Sequence, residues 1–121
     1  MSCWINACKP VYSATVLTPI LKINVEGHHF GPGKAQLLEL IAETGSISQA
    51  AKKMQMSYRR AWLLIDELNQ MFAEPCVEKT TGGAHGGGAK VTAFGQRVVV
   101  AFRNLEQHTA LEVAKEFKTL K

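Results

Sequence analysis

Apolar residues recur with helical spacing in successive blocks between residues 33 and 72, and turn residues separate the blocks. The first block predicts a helix over 33–43, with Leu37, Leu38, Leu40 and Ile41 as its buried face and Gly45 closing it. Ser46 can cap a second helix over 46–54, because its hydroxyl accepts one of the unpaired N–H groups at a helix start. Ile47, Ala50, Ala51 and Met54 then share a face. Met56 breaks that phase, and Ser57 caps a third helix over 57–72 whose buried side is Ala61, Leu64, Ile65 and Leu68. Glu74–Pro75 stops it. Upstream, residues 17–26 alternate, with Leu17, Leu21, Ile23 and Val25 on one side, which predicts a half-buried strand ended by Gly27. Residues 1–16 show no period and read as a poorly ordered segment.

The second and third helices are close enough to cross only where side chains are small, and Ala50 and Ala51 supply that crossing. This is the pattern of a helix-turn-helix. The turn holds Gln55, which adopts a left-handed conformation only at some cost. Lys52, Lys53, Arg59 and Arg60 lie on the pair, with no acidic residue before Asp66. The third helix opens with Tyr58, Arg59 and Arg60, side chains long enough to reach base edges in a major groove. Four basic residues on any amphipathic pair also fit a merely solvated face. Lys34, at the start of the first helix, reads as a solvated lysine, with a phosphate contact as the other reading. Trp62 reads as packing against the wing or the preceding helix, or as a backbone contact through its indole N–H.

The segment beyond the third helix decides between the readings. Residues 76–92 pattern as two short strands around an acid-free tip containing Thr81, Gly82, Gly83, His85, Gly86, Gly87 and Gly88, with Lys79 and Lys90 on the strands. Glycines let main-chain N–H groups approach phosphate oxygens, so a hairpin of this kind suits the wing of a winged helix-turn-helix. A nucleotide-binding P-loop is excluded. After Gly83 and Gly88, Ala89 precedes Lys90, and Val91 stands where Ser or Thr is required. From Phe94 to about Leu120 one long helix is predicted, with Phe94, Val98, Phe102, Leu105, Thr109, Val113, Phe117 and Leu120 at steps of three or four. So long a stripe exceeds what one small domain covers, and a second copy of the same helix is its economical partner. Folding back on its own domain is the alternative.

Together these residues resemble the N-terminal DNA-binding domain of the molybdate-responsive ModE regulators, a winged-helix family related to the LysR-type regulators. The resemblance runs over roughly residues 31 to 107. It rests on the GSIS helix start, the SYRRAW recognition helix, the EP-x-V-E strand, the TGG…GGG wing and the V-T-x-x-G entry into a long helix. It implies a mainly α fold with a small β wing and a homodimeric transcription regulator. Full-length members of that family carry a C-terminal pair of oxyanion-binding β-barrel modules, and stand-alone members, which this chain resembles, retain only the DNA-binding half. Here about fifteen residues follow the match, and EVAKEFKTLK is helical, so the expectation is the DNA-binding half alone, without cofactor or small-molecule effector.

Composition adds limits. With 121 residues, 46% apolar and 20% charged, the chain has room for one soluble domain. A net charge of +4 favours an acidic partner. No apolar run reaches membrane-spanning length and no signal peptide is evident, so a cytoplasmic protein without membrane contact is expected. Cys3, Cys8 and Cys76 read as free thiols. Cys3 and Cys8 with His28 and His29 lack the spacing of a zinc site, and no metal is expected. No nucleophile–base set or carboxylate pair argues for an enzyme.

The expected function is sequence-specific binding of double-stranded DNA. Tyr58, Arg59 and Arg60 would read bases, while Ser46, Ser57, Thr81, the wing glycines, His85 and Lys90 would hold phosphates. Phe94, Val98, Phe102, Leu105, Val113 and Phe117 would dimerise the protein. A low-specificity nucleoid-type binder, and a small oxyanion- or metal-responsive protein using His85 and the glycine wing, are the alternatives. The strand at 17–26 either joins the wing sheet or pairs across a dimer.

Overall fold

A computed structural model describes residues 17–80 and 88–120. The predicted N-terminal segment 1–16 and the wing tip lie outside the described residues. Two short strands, β1 (Ile23–Val25) and β2 (His28–Phe30), precede three helices: α1 (Pro32–Thr44), α2 (Ile47–Lys53) and α3 (Tyr58–Met71). The wing strands β3 (Val77–Thr80) and β4 (Gly88–Val91) lead into the long helix α4 (Ala93–Phe117). The architecture is a winged helix-turn-helix.

Where one strand over 17–26 was expected, β1 is shorter and turns back on β2 as a separate antiparallel hairpin, with Val25 opposite His28. It does not join the wing sheet, which consists of β3 and β4 among the described residues. The hairpin loop is Glu26–Gly27, both at positive φ (49° and 90°), as a tight two-residue turn requires. The Asn24 side-chain oxygen accepts the Gly27 N–H at 3.0 Å and closes that turn.

The hairpin delivers Phe30 to the centre of the core, where it is 1% exposed. Its ring meets Phe102 edge-on at 5.1 Å and Phe72 at 5.9 Å. Leu37, Leu38 and Ile41 of α1, Ile65 and Leu68 of α3, and Val99 of α4 complete the same cluster. Burying side chains of this size contributes about 1.5–3 kcal/mol each. Phe102, expected at the dimer contact, is therefore committed to the chain's own core. The helical stripe on α4 is broad, and its inner line, Gly95, Val99 and Phe102, is consumed by the chain's own core.

Two polar clasps hold the helices. Arg103 of α4 grips Glu39 of α1 through one edge of its guanidinium, Nη2 at 2.7 Å and Nε at 3.1 Å, and donates from Nη1 to Glu106 at 2.7 Å. These hydrogen bonds, Glu39 first, outweigh partial burial and hold the guanidinium above its ordinary pKa. Glu67 of α3 meets His28 of β2 at 2.8 Å and Lys34 of α1 at 3.3 Å. Lys34 is thus neither solvated nor free for phosphate. Its ammonium, with the side chain only 12% exposed, also donates to the His29 carbonyl and ties three elements together.

Candidate nucleic-acid interface

The two serines flanking the turn act as helix caps. Ser46 Oγ accepts the Gln49 N–H at 3.1 Å and starts α2, and Ser57 Oγ accepts the Arg60 N–H at 3.0 Å and starts α3. Each hydroxyl keeps its own proton for donation, and only that proton is left for a phosphate oxygen. Between the helices the backbone reverses at Gln55, whose φ of 57° is the left-handed value that glycine adopts more cheaply. The Met54 and Met56 N–H groups return to the Ala50 and Ala51 carbonyls at 3.0–3.2 Å. Ala50, Ala51 and Ala61 are fully buried at the crossing, which lets α2 and α3 approach.

With Ala61, Ile65, Leu68 and Met71 inward, α3 turns Tyr58, Arg59 and Arg60 to solvent. Lys52 is exposed beside them, and among the described residues no acidic group pairs with Lys52, Arg59 or Arg60. Lys53 reaches Glu43 at 3.3 Å. The turn and the first turn of α3 therefore form a basic, solvent-facing edge whose charges the fold leaves unpaired.

The wing stands beside that edge. Val77 pairs with Val91 and Thr80 with Gly88. Both its strands are anchored. Asn69 of α3 accepts the Cys76 and Val77 N–H groups at 2.9 and 3.2 Å and donates to the Val77 carbonyl at 3.2 Å. The Ala89 N–H donates to the Gly45 carbonyl at 3.0 Å, fastening β4 to the C-cap of α1. Thr92 bridges wing and α4: its hydroxyl donates to the Pro75 carbonyl at 2.7 Å and accepts the Gly95 N–H at 2.9 Å. The Lys79 ammonium sits over the Trp62 ring, and Tyr58 meets the same ring edge-on at 6.2 Å. Sequence reasoning named Trp62 but not its partner, and it missed Asn69, whose partners lie seven and eight residues away.

Of the wing residues expected to hold phosphate, Thr81, Gly82, Gly83, His85, Gly86 and Gly87 lie outside the described residues. Lys90 is exposed on β4. Gly88 has a reason of its own: a Cβ there would stand 2.7 Å from Thr80 Oγ1 and 2.8 Å from the Gly45 carbonyl oxygen. Of the residues assigned to dimerisation, Phe94, Val98 and Val113 are half-buried, while Leu105 and Phe117 are exposed. Val98 and Leu105 line an apolar groove with Ala101, Ile23 and Phe72.

Residues 33–96 match the family described as bacterial regulatory helix-turn-helix protein, lysR family. The chain is 46% identical over 76 residues to the DNA-binding transcriptional dual regulator ModE of Escherichia coli (strain K12), covering 63% of this chain and 29% of that protein. It is 44% identical over 73 residues to the molybdenum transport protein ModE of Azotobacter vinelandii, covering 60% and 27%. With the transcriptional regulator ModE of Yersinia pestis it shares 42% over 90 residues, covering 74% and 33%. The chain thus spans a third or less of the length of these relatives. Among the described residues no helix is long and apolar enough to cross a membrane. With the LysR-type match covering both helices of the turn and the wing, the chain belongs to the bacterial regulatory helix-turn-helix family of LysR type, and its DNA-binding domain is ModE-like.

Proposed function

We propose that this chain is a sequence-specific DNA-binding transcription regulator that works as a homodimer, by binding and not by catalysis. One observation carries the reading: the first turn of α3 presents Arg59 and Arg60 to solvent, unpaired, on a helix held rigidly by Asn69, Glu67 and the wing. Rigid presentation of unpaired guanidiniums suits bidentate recognition of guanine in the major groove. Tyr58, Arg59 and Arg60 read bases, while Ser46, Ser57, Lys90 and the wing tip hold the backbone. The exposed line of α4, with Leu105 and Phe117, pairs with a second copy. Two recognition helices then meet the duplex on one face, roughly 34–36 Å apart.

Selection of bound duplexes from random DNA, followed by sequencing, tests this reading. A two-fold symmetric consensus with guanine at defined positions is the expected result. Enrichment of no sequence, with binding that falls steeply with salt, would make the protein a low-specificity binder instead.

A further inference from the structure

The solvent side of α3 carries a large apolar side chain that the core does not bury. Leu63 is 56% exposed, whereas Ala61, Ile65, Leu68 and Met71 of the same helix are buried. At about 100° per residue, Leu63 lies on the face of Arg59, four positions earlier, and Asp66, three positions later, and all three are exposed. Leu105, Leu111 and Leu120, the other exposed leucines among the described residues, follow one another on or just beyond α4, far along the chain from this basic edge.

Position and chemistry together name what Leu63 would meet. It stands about 6 Å further along the helix axis than Arg59, roughly one to two base steps for a helix lying in the groove. A helix that puts Arg59 on a base edge therefore keeps Leu63 over the groove floor. Asp66 on the same face fits that placement, since a carboxylate is repelled by phosphates but accepts from the cytosine amino group. A leucine side chain has no hydrogen bond to give. Of the groups that base pairs display in the major groove, the C5-methyl of thymine is the one it recognises.

We propose that Leu63 is a specificity-determining residue that reads a thymine methyl group roughly one to two base steps from the base gripped by Arg59. The proposal rests on the DNA-binding reading above. It predicts a coupling between one side chain and one methyl group, which phosphate contact or general packing does not produce.

The test uses the full chain and the duplex selected from random DNA, with each thymine replaced in turn by deoxyuridine, which lacks only the methyl. Binding is titrated for the native protein, Leu63→Ala and Arg59→Ala, with thermal melts to compare folding. At one thymine per half-site, deoxyuridine should weaken native binding about fourfold, the effect of one buried methyl-sized group. The same replacement should leave Leu63→Ala unaffected, and that variant should melt like the native protein. If no thymine couples to residue 63 while Arg59→Ala loses discrimination, Leu63 is not a reader and the DNA-binding reading stands. A uniform loss by Leu63→Ala on every duplex overturns the proposal in the same way. If the native protein does not distinguish selected from scrambled duplexes, both readings fall.

Discussion

The ammonium of Lys79 stands 4.5 Å from the centre of the Trp62 ring, so the first wing strand rests directly on the second turn of the recognition helix. The contact is worth about 0.5–1 kcal/mol at a partly exposed site. Its larger effect is positional, because it orients the outer part of β3 while Asn69 holds the strand's beginning. A double-mutant cycle of Lys79→Gln with Trp62→Leu, followed by chemical denaturation, should give a coupling energy in that range. Additive losses would mean that the two side chains are neighbours without interaction.

Recognition helix and wing should fail differently. Arg59→Ala or Arg60→Ala should cost about 1–3 kcal/mol on the selected duplex and relax preference at one base position. Lys90→Ala should weaken all sequences alike and lower the salt slope by about one ion per subunit. Titrations against selected and scrambled duplexes at two salt concentrations separate the two. Retained discrimination in both arginine variants would leave the basic edge as a solvated face.

The two lines of the α4 stripe also separate. Both Leu105 and Phe102 line the apolar groove, but Leu105 is 47% exposed whereas Phe102 is 1% exposed and packs on Phe30. Leu105→Glu should sediment as a folded monomer at micromolar concentration. Phe102→Ala should instead lose about 3–5 kcal/mol of stability. A Leu105→Glu protein that remains dimeric places the interface elsewhere.

Asn69 satisfies two backbone N–H groups where the wing begins, at Cys76 and Val77, both buried. Asn69→Ala should cost about 1–3 kcal/mol, because those donors lose their acceptor away from water. Burial also pushes the Cys76 thiol up to about 11, so at neutral pH it is almost wholly protonated and inert. Labelling with a thiol reagent, read by mass spectrometry of the Cys76 peptide, should be slow in the native protein and faster in Asn69→Ala.

Partial burial raises the Glu67 carboxyl, but hydrogen bonds from His28 and Lys34 and their charges more than reverse it, leaving it below its ordinary 4.5. Over that interval the unfolded chain binds the proton and the folded one does not, so stability rises with pH. The contribution is present above the ordinary value and disappears as pH falls through the lowered one. Glu67→Gln should flatten this acid limb in melts taken from pH 6 to pH 3, an interval of about three units around it. An unchanged slope would assign the acid sensitivity to other carboxylates.

Local chemistry was what the sequence made legible. Ser46 and Ser57 could be named as caps because a cap bonds within three residues of itself. The three helical blocks and the wing pattern have the same local origin. Distant partners were hidden. Lys34 looks solvated until Glu67, far along the chain, folds beside it. The β1–β2 hairpin is not evident from pattern because its turn uses Glu26–Gly27 rather than the commoner Asn-Gly, and because the three residues His28–Phe30 between Gly27 and Gly31 are too few to show an alternation. On α4, steps of three and four fit both Phe102 and Leu105, and periodicity alone does not say which faces Phe30.

The clasp between Glu39 and Arg103 makes α1 the arm of a caliper. One side of α1 is gripped by the helix proposed to join two copies, and its C-terminal end leads within two residues into α2 and carries β4 on the Gly45 carbonyl. At the junction Gly45 closes α1, its own N–H donating to the Ile41 carbonyl at 2.7 Å. In a dimer, a tilt between the paired α4 helices would reach the recognition helices through these contacts, as a change in the distance between them. If two copies pair through α4 as proposed, such a dimer is expected to tolerate a changed base more readily than a changed spacing, since one base pair added between half-sites shifts and rotates one half-site relative to the other.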